Sequence, residues 1–275
     1  MLSSFGKSDV GRRRAHNEDS HLVGDRLFLV CDGMGGHQAG EVASQLAVKA
    51  ISGFWDTSDD EDGVTWPQGL DPKLSRDGNV LKVAILMANA AIVKSGLANQ
   101  EHYGMGTTVA AVLASPDGSR IEWATVGDSR IYRIRDGKLE RLSRDDSWAE
   151  AVLGNDVDAR VGGGAEDGAG DVSMGGAMAG AMDGAMDGAM KHALTKAVGL
   201  REELDFAVHG EDLRVGDTLV LCSDGLTNMV PDDKLLSIVV QHGEALSEAG
   251  TMLVDAANEA GGTDNITVVL VRRRR

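Results

Sequence analysis

The chain has 275 residues, 42% of them hydrophobic and 25% charged, which fits a globular protein and excludes a disordered or fibrous one. Its 27 Lys and Arg against 43 Asp and Glu give a formal net charge of −16. That excludes non-specific binding to nucleic acid or to an anionic membrane surface, since both need an excess of positive charge. Two cysteines, Cys31 and Cys222, are too few for a disulfide framework and have no zinc-ligand spacing. No apolar run reaches the roughly 18 residues of a membrane span, and Met1–Val10 lacks the apolar stretch of a signal peptide. A cytoplasmic protein is expected.

Taken along the chain, short apolar runs end in Asp-Gly or Gly-Asp punctuation. Leu27–Cys31 is expected as a strand running into Asp32-Gly33. Ala39 to Phe54 follows as a helix with Val42, Leu46 and Ile51 along one side. A second helix is expected from Asn79 to Asn99, with Asn79 as its N-cap and a stripe through Val83, Met87 and Ala91. Strands are then expected at Thr107–Ala114, Ile121–Val126, Ile131–Ile134 and Thr218–Cys222, all rich in Val, Ile and Thr. A helical pair, Asp232–Val240 (opened by Pro231) and Glu244–Ala260, precedes a last strand, Asn265–Val271. Arg272–Arg275 reads as a solvated tail. Hairpin-like spacing points to antiparallel pairing, and the absence of regular βαβ alternation favours an α+β layered domain.

One segment departs from this pattern. Gly162 to Met190 is mostly Gly, Ala, Met and Asp and ends in a four-residue repeat, GAMA, GAMD, GAMD, GAM. Glycines at every fourth position each cost a helix about 1 kcal/mol relative to alanine, so the segment reads as a surface insertion.

The informative side chains are acids. Asp32, Asp128, Asp224 and Asp264 each sit next to glycine or at the lip of an apolar run, and Glu18-Asp19 follow a basic stretch. One such Asp is a turn residue; several at separate strand ends suggest a hard oxygen site for Mg²⁺ or Mn²⁺.

Six segments in order carry more. They are Asp9-Val-Gly-Arg-Arg-Arg14-Ala-His-Asn-Glu18-Asp19, Val30-Cys-Asp32-Gly33-Met-Gly-Gly-His37-Gln-Ala-Gly-Glu41, Gly104-Met-Gly-Thr-Thr108, Val126-Gly-Asp128-Ser-Arg130, Leu221-Cys-Ser-Asp224-Gly-Leu-Thr227 and Asp264-Asn-Ile-Thr-Val268. Together they resemble the metal-dependent protein phosphatases of type 2C, in their bacterial branch, over nearly the whole chain. The resemblance implies a central β-sandwich of two antiparallel sheets flanked by α-helices on both faces. It implies a single phosphatase domain over 1–275, with the Gly/Ala/Met segment at about 162–190 as an insertion in the flap beside the site.

The implied activity is hydrolysis of phosphoserine and phosphothreonine by a water activated between two Mn²⁺ or Mg²⁺ ions. By the same resemblance Asp32 bridges the two metals, Gly33 offers its carbonyl to one of them, and Asp224 and Asp264 hold the other. Glu18 binds on the Gly33 side and Asp19 orients waters. Arg14 clamps the phosphoryl group, and His37 is the general acid for the leaving alkoxide. Asp128 joins Asp224 at a third, weaker metal site, where Asn228 replaces the aspartate of many relatives. The implied partners are phosphorylated substrates of a cognate serine/threonine kinase, met by a monomer. The alternatives are a catalytically silent scaffold on this fold, expected to have lost one of Asp32, Asp224 or Asp264, and a sigma-switch phosphatase.

Overall fold

The structure is a computed structural model that describes residues 1–36, 39–58, 69–147 and 194–275. His37 and the segment 162–190 lie outside the described residues. The chain divides into two units, 1–145 with 197–275, and 146–196. In the second, the described residues make one bridge, Ser147 to Leu194, backed by the Thr195 N–H donating to the Asp146 carbonyl at 2.8 Å.

Among the described residues, eleven strands form two antiparallel sheets. One has the order β1 (Leu2–Asp9), β11 (Ile266–Arg273), β10 (Thr218–Cys222), β7 (Arg130–Arg135), β8 (Lys138–Arg141). The other runs β2 (Asp19–Val23), β3 (Leu27–Met34), β5 (Val109–Ala114), β6 (Arg120–Val126), β9 (His209–Asp212), with β4 (Gly106–Thr107) paired to the far end of β3. Helices α1 (Ala39–Ser58) and α2 (Arg76–Ala98) cover the β3 sheet, and α4 (Asp232–Gln241) and α5 (Leu246–Glu259) cover the β11 sheet. A single turn of helix, α3 (Asp224–Thr227), follows β10. The expected helix–sheet–sheet–helix sandwich is the fold.

Its three apolar layers follow from strand alternation. On β3, Leu27, Leu29 and Cys31 face α1 and α2, while Phe28 and Val30 face the other sheet. On β11, Ile266, Val268 and Leu270 face α4 and α5, while Val269 and Val271 point between the sheets. Central strands buried on both faces must be apolar at every position, hence the continuous runs in the sequence. The α2 helix is long and apolar enough to cross a membrane by composition alone; here it packs on α1 and the β3 sheet as a core helix.

Two expectations are corrected. Ser75, not Asn79, caps α2: its Oγ accepts the Gly78 N–H at 2.9 Å and hydrogen-bonds to Glu122. Asn79 lies one turn inside, buried, where its amide closes the Asp71–Ser75 loop by accepting the Asp71 N–H and donating to carbonyls. The arginine end is not a free tail either. Arg272 and Arg273 complete β11; the Arg272 guanidinium donates to Thr218 Oγ1 and Glu244, and Arg274 donates to Glu244 and to Ser3.

Candidate metal centre

Antiparallel pairing brings the acids to one end of the sandwich. Asp19, first residue of β2, is the register partner of Asp32 on β3. Asp128 follows β6 across Gly127, Asp224 opens α3 after β10, and Asp264 immediately precedes the β11 corner. Because β10 and β11 are antiparallel, the C-terminal end of one lies beside the N-terminal end of the other, with Cys222 opposite Val268. The site is therefore assembled from both sheets and needs the closed sandwich.

The electrostatics record this crowding. Asp32 has its carboxyl raised well above the usual carboxylate range, first by burial and then by Asp19, Asp224, Asp128 and Asp264. Asp19 is pushed up to about 7, by burial first and by Asp224 and Asp264, against the lowering hydroxyls of Thr267 and Ser223. Asp128 is likewise pushed up to about 7 by burial, Asp224 and Asp145. Glu18 is raised by burial, with Asp264 and Glu41 adding to it and Arg14 opposing. Acids held this close in a partly buried cleft favour either protons or cations.

Arg14 is the counter-charge. Its Nη2 lies 2.7 Å from Asp264 Oδ2, with the guanidinium about half exposed. Although burial works against its charge, Asp264, Glu18 and Asp32 together raise its pKa.

The backbone around Asp32 is fixed by hydroxyls. Its N–H donates to Thr108 Oγ1 at 2.9 Å, its carbonyl accepts from Thr107 Oγ1 at 2.8 Å, and Thr108 Oγ1 meets Ser129 Oγ at 2.6 Å. Ser223 Oγ donates to Asp19 Oδ2 at 2.8 Å, whereas the buried Oδ1 of Asp19 has no hydrogen-bond partner. These hydroxyls and Asn265 are the residues that sequence reasoning gave no role; their signal was a polar residue at the end of an otherwise apolar strand.

A divalent pair fits this donor set. All the side-chain donors are hard oxygens, and a buried carboxylate oxygen of Asp19 stands without a partner. A methyl placed on Gly40 would sit 2.8 Å from both Glu18 Oε1 and the Gly33 carbonyl oxygen, so these two oxygens border one small space. Gly33 itself has no room for a side chain, which would come within 2.0 Å of the Gly40 carbonyl. Among the described residues no three Asp, Glu, His or Cys side chains form a finished cage, and Asp264 is turned to Arg14. Asn228, in the third-site position, donates Nδ2–H to Asp224 Oδ2 at 3.0 Å and adds no anionic ligand. Cys31 and Cys222 are fully buried core residues whose thiol pKa values are raised by burial, which makes them inert.

Known proteins are similar to this chain in sequence and fold. The family model for protein phosphatase 2C matches residues 10–152, just over half of the chain, and that for stage II sporulation protein E matches 184–274. The chain belongs to the protein phosphatase 2C family. The serine/threonine phosphatase stp of Listeria welshimeri is 34% identical over 277 residues, covering 97% of this chain and 94% of that protein. The crystal structure of the Mycobacterium tuberculosis serine/threonine phosphatase PstP superposes with a TM-score of 0.77 at 30% identity, covering 100% of this chain and 99% of that one. The PstP catalytic domain in complex with two manganese ions gives a TM-score of 0.75 at 31% identity, again over 100% and 99%.

Proposed function

We propose that this member of the family is a metal-dependent phosphatase of phosphoserine and phosphothreonine in proteins, working as a cytoplasmic monomer against a serine/threonine kinase. The observation that carries the reading is the gathering of Asp19, Asp32, Asp128, Asp224 and Asp264 around one partly buried point with Arg14 at its rim. A silent scaffold would have no reason to retain that costly convergence of like charges.

Two Mn²⁺ or Mg²⁺ ions would be held by Asp32, Glu18, Asp224 and Asp264 together with the Gly33 carbonyl. Bound there, such ions activate a water and neutralise the transferring phosphoryl group. The chain's own residues do the rest. Asp19 orients solvent through its free Oδ1, and its other oxygen is fixed by Ser223. Arg14 presents a planar fork of donors to the phosphoryl oxygens, which favours in-line geometry and offsets their charge. His37 gives a proton to the departing serine or threonine oxygen, a contribution of roughly 10²–10⁴-fold. A third, weaker ion would rest on Asp128 and Asp224. The stretch 162–190 would belong to the flap of a single phosphatase domain and meet the protein substrate.

The test is hydrolysis of a phosphothreonine peptide and of an aryl phosphate in Mn²⁺, Mg²⁺ or EDTA. Activity should require the cation and vanish in Asp32→Ala and Asp224→Ala; full turnover in EDTA after dialysis would refute the reading. His37→Ala should slow the peptide far more than the aryl ester, whose leaving oxygen needs little protonation.

A further inference from the structure

One buried amide holds the loop that carries Arg14. Asn265 is 4% exposed and lies between Asp264 and the first residue of β11. Its Oδ1 accepts the Glu18 N–H at 2.8 Å, and its Nδ2 donates to the carbonyls of Val10 at 3.0 Å and His16 at 2.9 Å. Both amide hydrogens and the amide oxygen are therefore used, all on the segment 10–18 that bears Arg14 at its middle. Asn265 is in turn fixed by its own N–H, which donates to Asp264 Oδ1 at 2.8 Å, while Oδ2 of the same carboxylate holds Arg14. At the other end of the loop, Gly11 has φ +81° and no room for a side chain, which would lie 2.2 Å from the Asp264 carbonyl oxygen. The loop thus closes directly on the Asp264–Asn265 corner.

We infer that Asn265 is a positioning residue for phosphate capture: it fixes the loop so that the Arg14 guanidinium stands over the acid cluster. The inference rests on the reading of Arg14 as the phosphoryl clamp. The role requires one acceptor and two donors in a single plane. Aspartate offers no donor, serine is too short to span Val10, His16 and Glu18, and leucine has the size without polar atoms. Without the amide, three main-chain groups lose their partner and the loop is free to carry Arg14 away. Arginine recognition of a phosphoryl group is bidentate and geometrically demanding, so a displacement of about an ångström is costly there.

The experiment is a double-mutant cycle between Arg14→Ala and Asn265→Ala, read as inhibition by inorganic phosphate and as KM and kcat for an aryl phosphate. Arg14→Ala should raise the phosphate inhibition constant roughly ten-fold, and Asn265→Ala should raise it by several-fold through the same contact. In the Arg14→Ala background, Asn265→Ala should add less than about two-fold, because the group it positions is gone. A purely structural role would instead leave phosphate affinity and KM intact in a folded variant, or add fully in both backgrounds. Asn265→Asp, which keeps the shape and the acceptor for Glu18, serves in place of an alanine variant that fails to fold and should shift phosphate affinity in the same direction.

Hydrogen exchange of the metal-free protein gives a readout apart from turnover: the Glu18 amide should be protected in the wild type and fast in Asn265→Ala. Unchanged phosphate affinity in Asn265→Ala beside a clear loss in Arg14→Ala would overturn the positioning role alone. No loss in Arg14→Ala would overturn the clamp reading and this inference with it.

Discussion

Arg14 and Asp264 form an ion pair of 2.7 Å across the mouth of the acid cluster, so one carboxylate serves both a guanidinium and, in the proposed mechanism, a metal. The two roles compete. Removing the guanidinium takes a positive charge away from a cation site and frees Asp264 Oδ2. Arg14→Ala should therefore tighten Mn²⁺ binding by roughly two- to five-fold, the range of a partly exposed ion pair, while weakening phosphate. Calorimetric titration with Mn²⁺ and inhibition by phosphate measure the two effects separately. Parallel losses would show that Arg14 supports the metal site rather than competing with it.

The raised carboxyls make the metal-free protein sensitive to pH. Asp19 and Asp128 are pushed up to about 7, far above the usual carboxylate range. Their folded values exceed the unfolded ones, so between these limits the native state binds more protons than the unfolded chain. Stability from these groups is complete below about pH 4 and is lost as pH rises through about 7. In EDTA, Tm should fall between about pH 5 and pH 8. Cations displace the same protons, so Mn²⁺ affinity should rise over that interval and the fall in Tm should disappear in its presence. A flat Tm in EDTA would mean that these acids are not crowded in the folded state.

The central strands and the four long helices of the described residues were legible in the sequence; the edges were not. Of the strands that no apolar run announced, β1, β8, β2 and β9 are the outermost of their sheets. An edge strand is half-paired and partly solvated, and β1 (LSSFGKSD) and β9 (HGED) carry little apolar signal; β11 and β6 supply the pairing that defines them. In the site, Asp32, Asp128, Asp224 and Asp264 were visible because each lies beside an apolar run, and Glu18-Asp19 because they follow a basic stretch. The residues that hold them, Thr108, Ser129, Ser223 and Asn265, act through partners up to 255 positions away, a relation no local pattern encodes.

The hydroxyl grip on Asp32 has a measurable cost of removal. Thr108→Val keeps the shape but leaves the buried Asp32 N–H without an acceptor, a penalty of about 1–3 kcal/mol. At roughly 2–4 °C per kcal/mol for a domain of this size, Tm should drop by several degrees, and Mn²⁺ should bind more weakly because Asp32 is less well held. A valine variant with wild-type metal affinity would limit the hydroxyl to stability.

The arginine end should behave as part of the sheet. Deleting residues 272–275 removes the last rungs of β11, the bonds of Arg272 and Arg274 to Glu244, and the Arg273 N–H donation to Asp217 at 3.0 Å. At about 0.5–1.5 kcal/mol for each hydrogen bond, the loss is a substantial part of a domain's stability. Thermal unfolding of the truncated chain should shift downward by at least several degrees; a shift within experimental error would return these residues to a free tail.

The Asn228 amide donates to Asp224 Oδ2 at 3.0 Å. Here a neutral donor stabilises the charged form of the Asp224 carboxylate. In Asn228→Asp that donor becomes a second negative charge four residues along from Asp224, so the metal-free protein loses a hydrogen bond and gains a repulsion. Together these cost about 1–2 kcal/mol. The same change supplies the anionic oxygen that a third cation lacks, and an added carboxylate raises affinity for a hard ion. The variant should therefore melt a few degrees lower in EDTA and recover in millimolar Mn²⁺. Calorimetry should show more Mn²⁺ bound per chain, or the weakest ion bound more tightly. If the variant melts as the wild type does and takes up Mn²⁺ identically, Asn228 has no part in setting the third site, and Asp128 with Asp224 alone must account for it.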